Sequence, residues 1–323
     1  MNLQPFRQRW DRLPKQTPSP GAGQATPPFP FFLTDAIWIV SRLDPALVAP
    51  FIPPGLKPTV EMIGVLAIFD APQDSAFGPF ARAFGGVTVQ GHHAPDSKDA
   101  VYVIADLVTP SAVQAWRDNY VDTCLAGETR VWWEGDELHG SVSSDGREWL
   151  HAVLRVVGPA QKGVTGQDAY LGRVNAGIER HVVSYHGALL PCEIVSFAID
   201  PGAPAPFAAL RPKELILGMS AHNLHATWSE ARAVSQAEAQ VEFEAKSDIG
   251  LAGLLRSVGL TPAEARLALL YGNGRTARGA AQELGISEHT ARSTLKNVFG
   301  KLGVRKQSEL ARFIARLTLP ASQ

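Results

Sequence analysis

The stretch from Leu260 to Leu317 most constrains how this chain can fold, because it carries start and stop signals for several short helices. Its first four-residue signal, Thr261-Pro262-Ala263-Glu264, is a capping box with proline in the first helical position. It predicts a helix over residues 262–271, which the glycines of Gly272-Asn273-Gly274 end.

Three more helices are predicted after this one. Thr276 caps a second helix that ends at Gly285, and Ser287 caps a third helix almost immediately. Ser308 is predicted to cap the fourth. Two helices joined by a tight glycine-containing turn are typical of a helix-turn-helix, so we expect a DNA-binding unit here.

The third predicted helix separates an apolar face from a polar one. Its inward positions recur at helical spacing: Ala291, Leu295, Val298 and Leu302. Its outward positions lie near the N-terminal half: His289, Arg292, Ser293 and Lys296. In a helix-turn-helix that half enters the major groove, where arginine and lysine can contact guanine or phosphate. The alternative is a four-helix cap with a charged solvent face.

The segment resembles the LuxR/FixJ-type DNA-binding domain. The matching motifs are Leu260-Thr261-Pro262-Ala263-Glu264, Ala281-Gln282-Glu283-Leu284-Gly285-Ile286-Ser287, Thr290 and Lys301-Leu302-Gly303-Val304. The resemblance implies that Arg292, Ser293 and Lys296 read bases. It also implies contacts to the DNA backbone from Ser287, Thr290, Lys301 and Arg305, and we add His289 and Arg278 to the predicted DNA-contacting set. The expected partner is a double-stranded operator.

The fourth predicted helix carries one apolar stripe: Leu310, Phe313, Ile314 and Leu317. The resemblance places a dimer contact on this helix, so we expect a homodimer or a higher homo-oligomer. The alternative, that the stripe packs on the core of its own domain, stays open.

Charge divides the chain into two parts. From residue 251 onward, eleven basic residues oppose four acidic ones, whereas the preceding 250 residues carry 19 basic and 27 acidic groups. A basic end on an acidic body suits nucleic acid at that end only. No apolar run has the length of a transmembrane helix, and no signal peptide stands out, so we expect a cytoplasmic protein without a membrane partner. Two cysteines form no disulfide framework, and the adjacent His92-His93 lacks further ligands, so we expect neither metal nor cofactor.

The body before this segment reads as many short strands with few helices. Strands are predicted over 31–43, 62–69, 86–92, 100–108, 130–133, 138–142, 150–157, 181–185, 193–199 and 214–219, and helices over 45–51 and 109–120. Residues 227–245 fit either a strand or an amphipathic helix. This spacing predicts an α+β multidomain chain whose body is a mixed β barrel or sandwich. The domains are a flexible arm (1–26), the body (27–245), a linker (246–259) and the helix-turn-helix domain (260–323).

The body resembles the acetoacetate decarboxylase-like fold. The matching segments are Arg42-Leu43-Asp44-Pro45, Pro53-Pro54-Gly55-Leu56, Asp136-Glu137-Leu138-His139-Gly140, Cys192-Glu193-Ile194-Val195, Glu214-Leu215-Ile216-Leu217 and His222. The resemblance implies a β barrel around an apolar cavity, with a Schiff base on the second of two adjacent lysines. That amine must be neutral near pH 7, which a second cation beside it achieves.

The chain departs from that family at the catalytic position. The lysine pair aligns with Cys124-Leu125, no lysine lies between Lys98 and Lys162, and no glutamate lies between Glu61 and Glu128. We therefore expect no catalytic residue and no enzyme activity. The predicted ligand contacts are Arg42, Cys124 and Trp132. The alternatives are a surface or salt-bridged arginine, a core cysteine and a packing tryptophan.

Together these observations predict a transcription regulator whose body senses a small hydrophobic ligand, acidic or carbonyl-bearing, and whose C-terminal domain binds DNA. An enzyme of the same superfamily that uses non-lysine chemistry and carries an accessory DNA-binding domain is the alternative. A third possibility is an interaction module without a ligand.

Overall fold

The computed structural model describes residues 28–71, 77–94, 99–175, 177–234 and 260–318. The predicted arm (1–26) and linker (246–259) lie outside the described residues, as do residues 235–245 of the segment whose structure the sequence left undecided. No described helix is long and apolar enough to cross a membrane.

Residues 29–233 form one twelve-stranded sheet. Its strands are β1 (Phe29–Leu43), β2 (Ile63–Ala71), β3 (Phe80–Val89), β4 (Ala100–Val108), β5 (Leu125–Ala126), β6 (Glu128–Glu134), β7 (Glu137–Ser144), β8 (Arg147–Val156), β9 (Gln161–Val174), β10 (Gly177–Ile199), β11 (Pro212–Trp228) and β12 (Arg232–Ala233). The order is β11-β1-β2-β3-β4-β9-β10-β8-β7-β6, and β10 also pairs with β11. This second pairing closes β11, β1, β2, β3, β4, β9 and β10 into a barrel, as the sequence predicts.

The long strand β10 belongs to two parts of the sheet. Residues 177–192 pair with β9 and β11 in the barrel, and residues 192–199 pair with β8, which leads to β7 and β6. The sequence predicts two separate strands here, which is wrong. Register shifts at His186/Ala188 and Ile194/Ser196 allow one continuous strand to bend from the barrel to the part of the sheet that contains β8.

Strand β9 is a long strand that the sequence pattern misses. Gln161–Val174 contains Gly163, Gly166 and Gly172, and glycine is depleted in strands. At Gly172, an added Cβ would stand 2.0 Å from the carbonyl oxygen of Tyr120, so the close approach of another backbone requires glycine there.

Three short helices accompany the strands: α1 (Pro45–Val48), α2 (Val113–Asn119) and α3 (Ala205–Ala208). One apolar core lies in the barrel interior, where Phe31, Phe69 and Trp228 pack with Trp116 of α2. A second core lies on the opposite face of the barrel strands, where Ile37 and Ile68 pack against β7 and β8.

Four helices follow: α4 (Pro262–Gly272), α5 (Ala277–Leu284), α6 (Glu288–Leu302) and α7 (Gln307–Thr318), called the helical module below. Thr261 and Glu264 form the predicted capping box. Thr276 and Ser287 cap α5 and α6, and Gly285 between them is left-handed with φ 66°. The predicted cap at Ser308 is wrong, because α7 begins one residue earlier and Ser308 lies in its first turn.

Candidate functional site

A cavity opens in the barrel interior, with about 1280 Å³ of empty space including the part open to solvent. Most of its lining is apolar and much of that is aromatic, including Phe31, Phe69, Phe84 and Trp228. A large apolar cavity with a few polar groups is the usual form of a small-molecule site. Among the described residues that line it, the charged side chains are all carboxylates: Glu61, Asp99 and Asp168.

The carboxylates come from three different parts of the barrel. Glu61 lies in the turn before β2, Asp99 immediately precedes β4, and Asp168 is in β9. The turn that carries Glu61 is fixed by Thr59, whose hydroxyl lies 2.7 Å from that of Thr88. All three carboxylates are half-buried.

Burial changes the acidity of one of these carboxylates. Desolvation, followed by repulsion from the nearby Glu61, raises the pKa of Asp99 to about 6. Two carboxylates that repel each other inside an apolar cavity create a locally negative potential. A cation placed between them would relieve this repulsion.

A buried ion pair lies behind the aromatic wall of the cavity. Arg82 Nε donates to Asp106 Oδ1 at 2.7 Å and Arg82 Nη2 donates to Oδ2 at 2.8 Å. The guanidinium carbon lies 4.2 Å from the ring centroid of Phe84 and 5.0 Å from that of Trp228. Because Asp106 neutralises Arg82, this cation adds little positive potential to the cavity.

A buried histidine next to this pair is also uncharged. Burial, followed by the charge of Arg82, lowers the pKa of His181 to about 3, so its imidazole is neutral at physiological pH.

One edge of the cavity packs against the helical module. Val40, Ile63 and Met219 line the cavity. The same three side chains belong to one contiguous buried cluster with residues of the module, among them Leu260 and Ile314. The cavity wall and the docking surface of the module therefore share side chains.

A hydrogen bond adds to this contact. Gln161 Nε2 at the start of β9 donates to the main-chain oxygen of Lys301 at 2.8 Å.

The three residues predicted to contact a ligand lie outside this cavity. Arg42 is buried, and its Nε donates to Glu214 at 3.1 Å on the paired strand β11. Cys124 is buried in the barrel core, where desolvation raises its pKa strongly, as expected for an inert core thiol. The prediction of ligand contacts by these residues is not supported by the cavity lining.

The tryptophan pair divides between the two faces of β6. Trp132 stacks on His139, with ring centroids 5.3 Å apart, and donates to the exposed Glu134. Trp133 packs against the core of Ile37 and Ile68, so it is the member of the pair that faces the core.

A polar cluster that sequence reasoning missed surrounds Trp133. Its Nε1 donates to Asp35 Oδ1 at 3.2 Å, its ring stacks on His222, and His222 Nδ1 lies 2.5 Å from the same carboxylate oxygen. Asp35 and His222 are register partners of β1 and β11, and the 186 residues between them hide this proximity from the sequence. Desolvation raises the pKa of the nearby Asp70 to about 6, and repulsion from the charge of Asp35 adds to this rise.

The predicted DNA contacts lie on the surface of the helical module with one exception. The exposed members are Arg278, Ser287, His289, Thr290, Arg292, Ser293, Lys296 and Arg305. Arg292 forms an exposed pair with Glu288 one turn away, at 2.7 Å, which is weak enough to open for a ligand. Lys301 is the exception, because its Nζ lies 2.6 Å from Glu264 of the capping box.

The predicted dimer stripe has two members inside the module. Leu310 and Ile314 are buried, and an added Cβ at Gly272 of α4 would meet Ile314 at 2.3 Å. Phe313 is half-buried, and the side chain of Leu317 lies outside the description. The dimer remains a prediction that rests chiefly on Phe313.

No protein-family model matches this chain, and no curated protein sequence matches it. Solved structures do match. An acetoacetate decarboxylase from Legionella pneumophila subsp. pneumophila str. Philadelphia 1 is similar with a TM-score of 0.55 at 15% identity, covering 69% of this chain and 92% of that one. A second acetoacetate decarboxylase structure gives 0.53 at 14% identity, covering 65% and 90%. The enduracididine biosynthesis enzyme MppR complexed with pyruvate gives 0.50 at 15% identity, covering 67% and 93%.

These comparisons establish an acetoacetate decarboxylase-like fold for the β-rich body, as its sequence resemblance implies. They contradict the prediction that the chain is not an enzyme, because the proteins that share its fold are a decarboxylase and a biosynthetic enzyme. The prediction rests on the absence of the lysine pair and of a glutamate between Glu61 and Glu128. That absence argues against one chemistry only, and the carboxylates of the cavity offer others.

Proposed function

We propose that this chain is a DNA-binding regulator in which a small apolar molecule bound in the barrel cavity modulates DNA binding by the helical module. The observation that carries the proposal is the shared wall formed by Val40, Ile63 and Met219. A ligand that moves these side chains also changes the surface on which the module packs. Such coupling is reciprocal, so DNA must alter ligand affinity to the same extent.

The DNA-binding half of the proposal is supported by the geometry of α5 and α6. A left-handed Gly285 joins them through a short turn, and Ser287 caps α6 at once. In a helix-turn-helix, the second of such helices lies in the major groove. Arg292 and Lys296 are one turn apart on α6, and both are exposed. Because Arg42 does not line the cavity, it gives no reason to expect an acidic or carbonyl-bearing ligand.

The test uses the full chain and a library of random duplexes. Repeated selection should enrich one sequence, and binding to it is then measured for the wild type and for Arg292→Ala. A bidentate base contact contributes about 1–3 kcal/mol, so Arg292→Ala should weaken binding by about 5–150-fold and relax the preference at one base pair.

The matched control is Arg130→Ala, which removes an exposed arginine from β6 of the body. It should leave affinity unchanged. Failure to enrich any sequence, or equal losses in both variants, would refute the DNA-binding role.

A second candidate function is an enzyme of the same fold whose reaction takes place in this cavity. The likeness to decarboxylase structures favours it, as does the raised pKa of Asp99, because a carboxyl group that titrates near neutrality suits general acid–base chemistry. Glu61 and Asp99 would act in place of a lysine amine.

Turnover of acetoacetate and pyruvate, followed by NMR on the full chain with borohydride present in parallel, tests this candidate. Carboxylate chemistry predicts substrate loss that Asp99→Asn abolishes, without a reduced lysine adduct. A stable adduct on a lysine would instead point to Schiff-base chemistry, and unchanged substrates in both reactions would argue against these two activities.

A further inference from the structure

We infer that the cavity selects an amphiphilic cation, a molecule with an apolar body and a protonated amine, rather than an acid. The inference rests on the proposed function, because it names the ligand class of the same cavity. It departs from the acidic or carbonyl-bearing ligand that the sequence predicts.

The lining of the cavity is chiefly apolar. The interior is formed by aromatic and aliphatic side chains, including Phe31, Leu33 and Trp228, which favour an apolar ligand body. Aromatic faces also attract a cation within about 6 Å through their quadrupoles. An acid gains nothing from these faces.

The charge of the lining decides the sign of the ligand. Glu61 and Asp99 are close enough for repulsion between them to raise the pKa of Asp99, and both line the same cavity. Neither a lysine nor an arginine is among its lining residues in the described part of the chain. A protonated amine near both carboxylates would gain a charge-assisted hydrogen bond and remove their mutual repulsion. A carboxylate ligand would add a third like charge.

The nearby cations do not reverse this sign. Arg82 is held by both oxygens of Asp106 behind the rings of Phe84 and Trp228, and Arg42, which is not among the lining residues, is paired with Glu214. Because both guanidiniums have carboxylate partners, they do not offset the charges of Glu61 and Asp99, which line the cavity in the described part of the chain.

The experiment compares three molecules with the same six-carbon body: hexan-1-amine, hexan-1-ol and hexanoate. Binding to the full chain at pH 7.5 is measured by calorimetric titration. Hydrogen bonds to charged groups are stronger than neutral ones, so the amine should bind about tenfold more tightly than the alcohol, and hexanoate should bind most weakly.

The variant Glu61→Gln with Asp99→Asn keeps the shape of both side chains and removes their charges. It should bring the amine and the alcohol to equal affinity while leaving the alcohol unchanged, a result that general structural damage would not produce. The control Asp145→Asn, on an exposed β7–β8 turn, should keep the full preference for the amine.

Two failures are distinguishable. Tightest binding of hexanoate or of the alcohol, or an amine preference that survives in the double variant, would overturn the cation inference alone. Absence of binding by all three molecules would remove ligand recognition from the proposed function as well, and the inference would fall with it.

Discussion

Replacing Asp106 by Asn should destabilise the barrel more than removing the charge of Glu61, Asp99 or Asp145. The side chain of Asp106 is fully buried, and that of Arg82 is only 2% exposed. Asp106 accepts two bonds from Arg82 and a third from Trp116 Nε1 at 3.0 Å. An amide would present its NH₂ group to donors that need an acceptor, and the buried guanidinium would lose its counter-charge.

The magnitude follows from the burial of both partners. Breaking a buried pair by removing one charge costs about 3–5 kcal/mol, because the other charge stays desolvated and uncompensated. A typical domain has about 5–15 kcal/mol of stability, so the loss is a large fraction of the total. Exposed substitutions such as Asp145→Asn should stay within about 0.5 kcal/mol.

Urea unfolding followed by tryptophan fluorescence measures this loss selectively. Six of the seven tryptophans lie between residues 38 and 228, the seventh is Trp10, and the helical module contains none, so changes in the signal report chiefly on the β-rich body. The double variant Arg82→Met with Asp106→Leu should lose less than Asp106→Asn, since a buried ion pair replaced by apolar groups is often close to neutral.

A loss below about 1 kcal/mol in Asp106→Asn, or a larger loss in the double variant, would refute the reasoning. The same variant has a functional consequence. With Arg82 uncompensated behind Phe84 and Trp228, the cavity should lose part of its preference for hexan-1-amine.

Two further predictions concern the cavity and the module. The preference for hexan-1-amine should fall as pH is lowered from 7.5 to 5, because Asp99 has a pKa raised to about 6 by desolvation and by Glu61, and its protonation removes an attracting charge. Calorimetric titration across this range measures it, and a constant preference would contradict it. The titratable groups that line the cavity are Glu61, Asp99, Asp168, Tyr170 and Tyr185. Phe313→Asp should leave the chain folded but weaken occupation of paired half-sites, which footprinting and sedimentation measure; an unchanged dimer on DNA would argue for a purely intramolecular role of α7.

Local signals were enough to predict the helical module. A capping box at Thr261, the caps Thr276 and Ser287, and glycines at the ends of the first three helices act within four residues, so the sequence displays them directly. The prediction of a cap at Ser308 is wrong because neighbouring positions compete for the start of a helix, and local signals alone do not decide between them.

The cavity could not be predicted in this way. Glu61, Asp99 and Asp168 come together only after β2, β4 and β9 take their places in the barrel, and β9 itself lacks a clear strand pattern. The pair Trp132-Trp133 shows the same limit. Alternation along β6 predicts that one ring faces inward, but which one depends on the register with β7, where a shift of one residue reverses every side chain.

If the barrel cavity regulates the helical module as we propose, the shared wall sets how large a structural change is required. Coupling between two sites is typically about 1–3 kcal/mol. Burial of one CH₂ group contributes about 0.8 kcal/mol, so uncovering two to four such groups between barrel and module supplies the whole coupling. The side chains of Val40, Ile63 and Met219 together contain more apolar groups than that, and all three are buried in the common cluster. A ligand therefore needs to displace only part of these side chains to change how firmly the module is held, and no rearrangement of the sheet is required.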